Sequence, residues 1–377
     1  MFIIDRYLLR FFIRVLVFSF LSMTGLFIMV DTAGNLDEFL AYGKQTGSTV
    51  QVLVDYYGPR VLQFFDRTSA VLSLIAAMFT VGWLQRTNEL TAILAGGIPK
   101  SRVIRPLVAG ALVVSLLAVA NRELLIPKLR DRLIYNAQNM MGETARPMTP
   151  AYDNETEVFF DGRAAMGKER RIDDVKLELP PSLSSFATKL TAKRAFHKPA
   201  QDGRPAGFLL EEVDKPADFA KRPSARIGDR TIIFTPADSE GLEPNQVFVA
   251  SNLEFEQLAA GPAWQDLAST KDLIVGLRRA SLDYGAGTRV RVHARLLQPV
   301  LDMTLLLLGL PLAFGRDNRN LFLAIGTSLL LVCLFYVVTL SCHGLGAIYL
   351  IRPSLAAWLP ILLFAPAAVA LSRRIWE

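Results

Sequence analysis

Six apolar stretches, each close to the roughly 20 residues that a helix needs to cross a bilayer, constrain this chain more than any other feature. They run over 11–30, 61–84, 103–120, 296–314, 321–342 and 354–371. Three precede and three follow a middle region rich in charge, Pro and Gly, so two membrane blocks are expected to flank one water-soluble domain. The hydrophobic content of 51% lies above the roughly 45–50% of soluble domains, which fits. Asp66 and Arg67 fall within the second stretch and are expected near an interface, because 68–84 is nearly long enough alone. The first stretch follows early arginines in the manner of a signal peptide. Its apolar run is of membrane length and lacks a small-residue cleavage pattern, so it reads as a retained first helix.

Orientation follows from Lys and Arg in the short connections. Arg6 and Arg10 precede the first span; Arg86, Lys100, Arg102 and Arg105 lie between the second and third. Arg316 and Arg319 lie between the fourth and fifth, and Arg373 and Arg374 follow the last. With six spans all four groups share one side. The other side receives a first loop with Asp31, Asp37, Glu38 and Lys44, and a short loop before Pro353. Both termini are therefore expected to be cytoplasmic and the middle domain outside. The net charge of +6 is accounted for by this loop asymmetry rather than by nucleic acid binding.

The middle region, about 121–295, shows short alternating runs at 157–160, 175–179, 208–210, 231–234 and 247–249, separated by turn clusters such as Asp161-Gly162, Pro180-Pro181 and Asp202-Gly203. An antiparallel β-sandwich or open barrel is the expected fold. Leu273, Ile274 and Leu277 then repeat at helical spacing, predicting a short linker helix over 271–279.

Between the second and third spans lies the segment 85–100. Leu90, Ile93 and Leu94 form an i, i+3, i+4 strip, and Gly96-Gly97 followed by Pro99 ends the helix. About ten residues cannot span a bilayer, so this helix should lie along the cytoplasmic face. Two readings of Glu89 stand side by side. It is an exposed carboxylate that pairs with an Arg of a docked partner, or it simply occupies the positive first turn of its own helix.

These segments, in order, resemble the LptF/LptG permease family. The family's basic DRYLLR-like start is matched by Asp5-Arg6-Tyr7-Leu8-Leu9-Arg10, and its R-x-x-E-L-x-A-x-x-A-x-G-I segment by Arg86, Glu89-Leu90, Ala92, Ala95 and Gly97-Ile98. An Asn-to-Pro exit from the third span is matched by Asn121 and Pro127, and an R-x-x-x-P return by Arg295 and Pro299. Pro311 and Pro353 also fit. The resemblance covers the whole chain and implies a six-helix membrane protein with an inserted periplasmic β-jellyroll. Its expected boundaries are 1–123 for spans one to three, with a coupling helix at about 86–97, then 124–295 and 296–377.

What the resemblance implies about function is equally definite: a permease subunit of an ABC transporter that extracts lipopolysaccharide from the inner membrane. The implied partners are a cytoplasmic ATPase dimer, a homologous permease, a periplasmic bridge protein and a bitopic accessory protein. Glu89 becomes the acid that contacts the ATPase, with Leu90, Ala92, Ala95 and Gly96 shaping the surrounding knob. Lys44, Arg60 and Arg67, around the outer ends of the first two spans, stand as receivers of an anionic headgroup or as ordinary interfacial anchors. The family tends to be basic near Lys44. Phe11, Phe18, Phe27, Phe322 and Phe335 offer apolar bulk for acyl chains in the first and fifth spans, as lipid-facing residues also would.

Asp302 departs from the family pattern. Either it is a functional ionisable group at membrane depth, or it stays wet near the headgroups or pairs with Arg295 on the same face. Other signatures are missing: there is no G-x-x-x-x-G-K-[ST] loop for ATP, no G-x-S-x-G elbow and no H-E-x-x-H pair. His197, His293 and His343 are scattered, and Cys333 and Cys342 lie together in one apolar stretch. No enzyme, cofactor or metal is expected. A secondary transporter and a membrane scaffold with a periplasmic binding domain are the alternatives; the first would need more paired charges and broken helices at mid-membrane.

Overall fold

A helix satisfies its own backbone hydrogen bonds, and in hydrocarbon no other open structure does; the apolar stretches accordingly fold as long helices. The computed structural model describes residues 3–140, 145–167, 169–200, 204–239, 241–260, 262–278, 285–313 and 321–376. Arg279, Asp202-Gly203, Arg316 and Arg319 lie outside the described residues, as does the side chain of Phe322. Two compact units emerge, Met1–Leu129 with Gly285–Glu377, and Arg130–Tyr284.

The first unit contains α1 (Ile3–Gly34), α2 (Leu36–Thr46), α3 (Thr49–Arg86), α4 (Glu89–Ala95) and α5 (Lys100–Ala120), the last continuing into a π-helical turn, Asn121–Leu125. Six helices among the described residues are long and apolar enough to cross a membrane. They fall where the six stretches were expected, and most extend beyond them. The acidic first loop is not a loop. It is α2, which lays Phe39 and Gly43, four residues apart, against α3. Phe39 packs on the rings of Tyr56 and Tyr57 at 5.1 and 5.8 Å. Gly47, at φ 83°, closes α2, and the Ser48 side chain accepts from the Gln51 N–H to open α3.

Lipid offers no hydrophobic gain for helix association, so spanning helices hold together by close packing at small residues. Gly110 of α5 illustrates this, since a Cβ there would stand 2.9 Å from Leu9 and 3.0 Å from Phe12 of α1. Leu72, Leu74, Leu107, Leu305 and Leu310 form the centre of the core, with Phe12.

The second unit begins with α6 (Arg130–Ile134) and is built on nine antiparallel strands: β1 (Ala151–Asp153), β2 (Val158–Asp161), β3 (Ala164–Met166), β4 (Arg171–Glu178), β5 (Lys189–Lys198), β6 (Gly207–Lys215), β7 (Ala225–Ile227), β8 (Arg230–Phe234) and β9 (Gln246–Ala250). They form one sheet in the order β1-β2-β4-β5-β6-β9-β8-β7, with β3 also paired to β4. All five expected runs are strands. The sandwich is a single continuous sheet rather than two separate ones, and it fits a jellyroll-like domain. Its core includes Phe160, Ile172, Leu177, Leu190, Phe208, Ile233 and Val247.

Three helices follow the sheet: α7 (Phe255–Ala260), α8 (Pro262–Leu267) and α9 (Thr270–Arg278). The last is the expected linker helix. Ser269 and Asp272 cap it reciprocally, Asp272 N–H to Ser269 Oγ at 3.1 Å and Ser269 N–H to Asp272 Oδ2 at 3.3 Å. The membrane unit then resumes with α10 (Gly285–Ala313), α11 (Leu321–Ala347) and α12 (Pro353–Trp376).

Gly207 sits where β6 is flanked on both sides, opposite Lys198 and Ala250. A Cβ there would collide with the Val249 carbonyl and come within 2.8 Å of the Phe248 ring. Gly207→Ala is therefore expected to destabilise the β-domain by about 1–3 kcal/mol, the usual cost of overpacking. Limited proteolysis of the purified chain should show earlier cleavage within 130–284, with the membrane helices unaffected.

Candidate functional site

The segment between α3 and α5 is shaped by its turns. Thr87 N–H returns to the Trp83 carbonyl at 2.9 Å, and Asn88 then adopts a left-handed conformation (φ 61°) that redirects the chain into α4. At the far end Gly96 N–H bonds the Ala92 carbonyl at 3.0 Å, Gly97 turns left-handed (φ 77°), and Pro99 precedes α5. The result is a seven-residue helix, shorter than the ten expected.

Leu90 anchors it. This side chain is buried with Leu8 of α1, Leu84 of α3 and Val103 of α5, with Ile4 and Ile93 against the same cluster. Burial of a leucine contributes about 1.5–3 kcal/mol, so a short helix with little intrinsic stability is pinned to three long ones. Leu90 is thus an internal support rather than part of a contact surface. Ala92, Ala95 and Gly96, in contrast, are exposed, as are Thr91 and Leu94. Together they form a small-residue surface from which no long side chain but Leu94 projects. Beside it, Glu89 Oε2 accepts a hydrogen bond from Tyr7 Oη at 2.9 Å. Neither earlier reading of Glu89 included this contact, which fixes the carboxylate from the neighbouring helix.

The three cations expected near a headgroup have different surroundings. Lys44 is exposed in the last turn of α2. Arg60 folds back along α3, its guanidinium 3.4 Å from the centre of the Tyr56 ring and Nη1 bonded to the Tyr56 carbonyl at 2.8 Å. Arg67 is exposed seven residues further along the same helix, about 10 Å by helical rise. Asp66, unlike its neighbour, turns inward, 3.9 Å from Arg122. Arg122 also reaches Glu123 at 3.8 Å and the Arg295 carbonyl at 3.3 Å, so it ties the end of α5 to α3 and α10. Asn121 adds a bond from Nδ2 to the Leu62 carbonyl at 2.8 Å.

Asp302 fits neither the wet nor the Arg295-paired reading. It is buried, and its two oxygens accept from Ser115 Oγ of α5 at 2.6 Å and Gln298 Nε2 at 2.8 Å. The Ser115 contact escaped sequence reasoning because it joins positions far apart in the chain. Of the aromatic residues offered to acyl chains, Phe18 is exposed and Phe11 stacks on Trp83. Phe27 packs on Tyr57 and Phe64. Phe335 is a correction: it lies in the core, 4.9 Å from the Phe364 ring, because its helix turns that face toward α12.

The profile of the lipopolysaccharide export system permease LptF/LptG matches residues 6–374. The chain belongs to the LptF/LptG family. No curated protein matches it significantly. The match takes in both units, from the first turn of α1 to the last turn of α12, and makes the chain a lipopolysaccharide export permease, a transporter subunit rather than an enzyme. Six apolar helices and this membership fit a multi-pass protein of the inner membrane. In this LptF/LptG-family chain, Asp302 joins α5 to α10 through a hydrogen bond inside the bundle. Ser115→Ala would leave one carboxylate oxygen unsatisfied, at a cost of about 1–3 kcal/mol. The hydroxyl of Ser73 is buried without a partner among the described residues, so Ser73→Ala is expected to be neutral. Thermal stability of the two variants in detergent, followed by size-exclusion, should separate them, with only Ser115→Ala melting earlier.

Proposed function

We propose that this chain is the permease subunit of an ABC exporter, powered by a separate cytoplasmic ATPase dimer and handing lipopolysaccharide to a periplasmic bridge. The observation that carries the reading is α4. Within a family of export permeases, this short helix is held to the bundle by Leu90 while Ala92, Ala95 and Gly96 stay exposed. A rigid knob with small side chains can enter a cleft on a partner without displacing bulk, and Glu89 at its rim offers a carboxylate to a partner's Arg or Lys. Force from a closing ATPase dimer would then reach α1, α3 and α5 directly through the Leu90 contacts.

The orientation is part of the same proposal. Arg6, Arg10, Arg86, Lys100, Arg102 and Arg105 gather at the α4 end of the first three spans, which supports a cytoplasmic location for that end. Both termini lie there, and the β-domain is periplasmic. A homologous permease and a bitopic accessory protein complete the assembly. Lys44, Arg60 and Arg67 face headgroups at the opposite end; exposed Lys44 and Arg67 are better disposed to meet phosphate than Arg60, which already lies against Tyr56. The exposed face of α1, with Phe18, Leu21, Leu26 and Met29, meets acyl chains or the second permease.

Co-purification of the tagged chain with cytoplasmic ATPases in gentle detergent tests this reading. Wild type should retain one ATPase and Glu89→Ala should retain markedly less. Tyr7→Phe, which removes the internal hydrogen bond but keeps the carboxylate, should retain as much as wild type or more. Absence of any ATPase from the wild-type preparation would favour a scaffold or secondary transporter.

A further inference from the structure

The β-domain contains a second chemical feature, apart from the sheet core. Arg146 pairs with Ala165 of β3 in a two-bond bridge, N–H to carbonyl at 3.1 Å and carbonyl from N–H at 2.7 Å, which fixes its side chain beside the sheet edge. Its Nη1 donates to the Ile134 carbonyl at 2.8 Å, and its guanidinium lies 4.7 Å from the centre of the Tyr135 ring. No carboxylate lies within ion-pair distance of it among the described residues. The group is half-buried, and that burial pushes it below the ordinary guanidinium value. A partly desolvated cation without a counter-charge is costly, so anion binding there is favoured.

Arg146 opens onto a cavity of about 190 Å³. The cavity's apolar wall comes from Ile134, Ala165, Phe255 and Ala259, and Gly167 lies under Tyr135. A side chain at Gly167 would collide with the Tyr135 hydroxyl, so glycine is what keeps the Tyr135 ring seated. The remaining charges cancel: Arg170 Nη2 holds Glu256 Oε1 at 2.7 Å, closing one wall between the β3–β4 turn and α7. Among the described residues the cavity therefore presents one uncompensated positive charge, over a hollow slightly larger than the roughly 150 Å³ that accommodates benzene in an apolar protein cavity.

We propose that this cavity is a binding site for a small monoanionic carboxylate carrying a compact apolar group. The planar carboxylate meets the free edge of the Arg146 guanidinium, the geometry that guanidinium recognises best. The apolar body fills the space against Phe255 and Ala259. A phosphate dianion fits less well because Glu256 lines the same cavity. The site is separate from α4 and from the proposed headgroup cations, and does not depend on the export reading.

Fluorine NMR of para-fluorobenzoate, titrated against the full-length protein in nanodiscs, tests the assignment. Saturable binding in the millimolar range is expected, at least about tenfold weaker in Arg146→Gln, the scale of losing one charge-assisted hydrogen bond. Ala259→Phe, which fills the hollow and keeps Arg146, should abolish binding. Para-fluorobenzamide and para-fluorophenyl phosphate should both bind more weakly than the carboxylate. Unchanged binding in both variants, equal binding of the amide, or tighter binding of the phosphate would each overturn the proposal. Unaltered melting of both variants verifies that they fold, and Arg146→Lys, which keeps the charge, provides a second test by retaining partial binding.

Discussion

A backbone inside hydrocarbon must satisfy its own hydrogen bonds, and this requirement divides the molecule. Only helices meet it in the first unit, while the sheet, which ends at β1 and β7 without closing on itself, belongs to the part of the chain that water can reach. Within the bundle the same absence of water removes the hydrophobic drive for association. Close approach takes its place, visible where Leu9 and Phe12 fill the space left by Gly110. The charged groups Asp302 and Arg122 are held individually inside the bundle, Asp302 by Ser115 and Gln298, and Arg122 by Asp66, Glu123 and the Arg295 carbonyl.

The placement of α4 follows from this packing. Seven residues do not form a stable helix in water alone. Leu90 gives α4 a fixed seat among three long helices, and the left-handed turns at Asn88 and Gly97 set its ends. Its outer surface, mostly small residues with Leu94 and one carboxylate, goes with having its main buried contact, Leu90, underneath. In the proposed function, a docking element built this way would transmit displacement, because its main buried support is apolar.

The sequence revealed the spans, the β-insert and the α4 segment clearly, because each depends on a local signal: apolar length, alternation, or Gly-Gly-x-Pro punctuation. It did not reveal α2. The acidic residues Asp37 and Glu38 suggested a loop, although Thr46-Gly47-Ser48 carried the closing and opening signals of two helices. The longest strand, β5, was also missed. Its exposed Lys189 and Lys193 obscure the buried Leu190, Ala192 and Ala195, and the three-residue step from Ala192 to Ala195 breaks the two-residue alternation. At the candidate site, the residue types were legible but their division of labour was not. That Leu90 faces inward while Ala92 and Ala95 face outward depends on α1 and α5, which no local window contains. The Tyr7 to Glu89 bond and the Ser115 to Asp302 bond are long-range contacts of the same kind.

The most direct test is disulfide or bifunctional cross-linking in intact membranes from Ala95→Cys, in a chain whose native Cys333 and Cys342 are replaced. The account predicts a cross-link between this position on the α4 knob and the ATP-hydrolysing subunit, together with labelling by thiol reagents only from the cytoplasmic side. A position that reacts from the periplasmic side, or that forms no cross-link to an ATPase while the transporter is active, would contradict it.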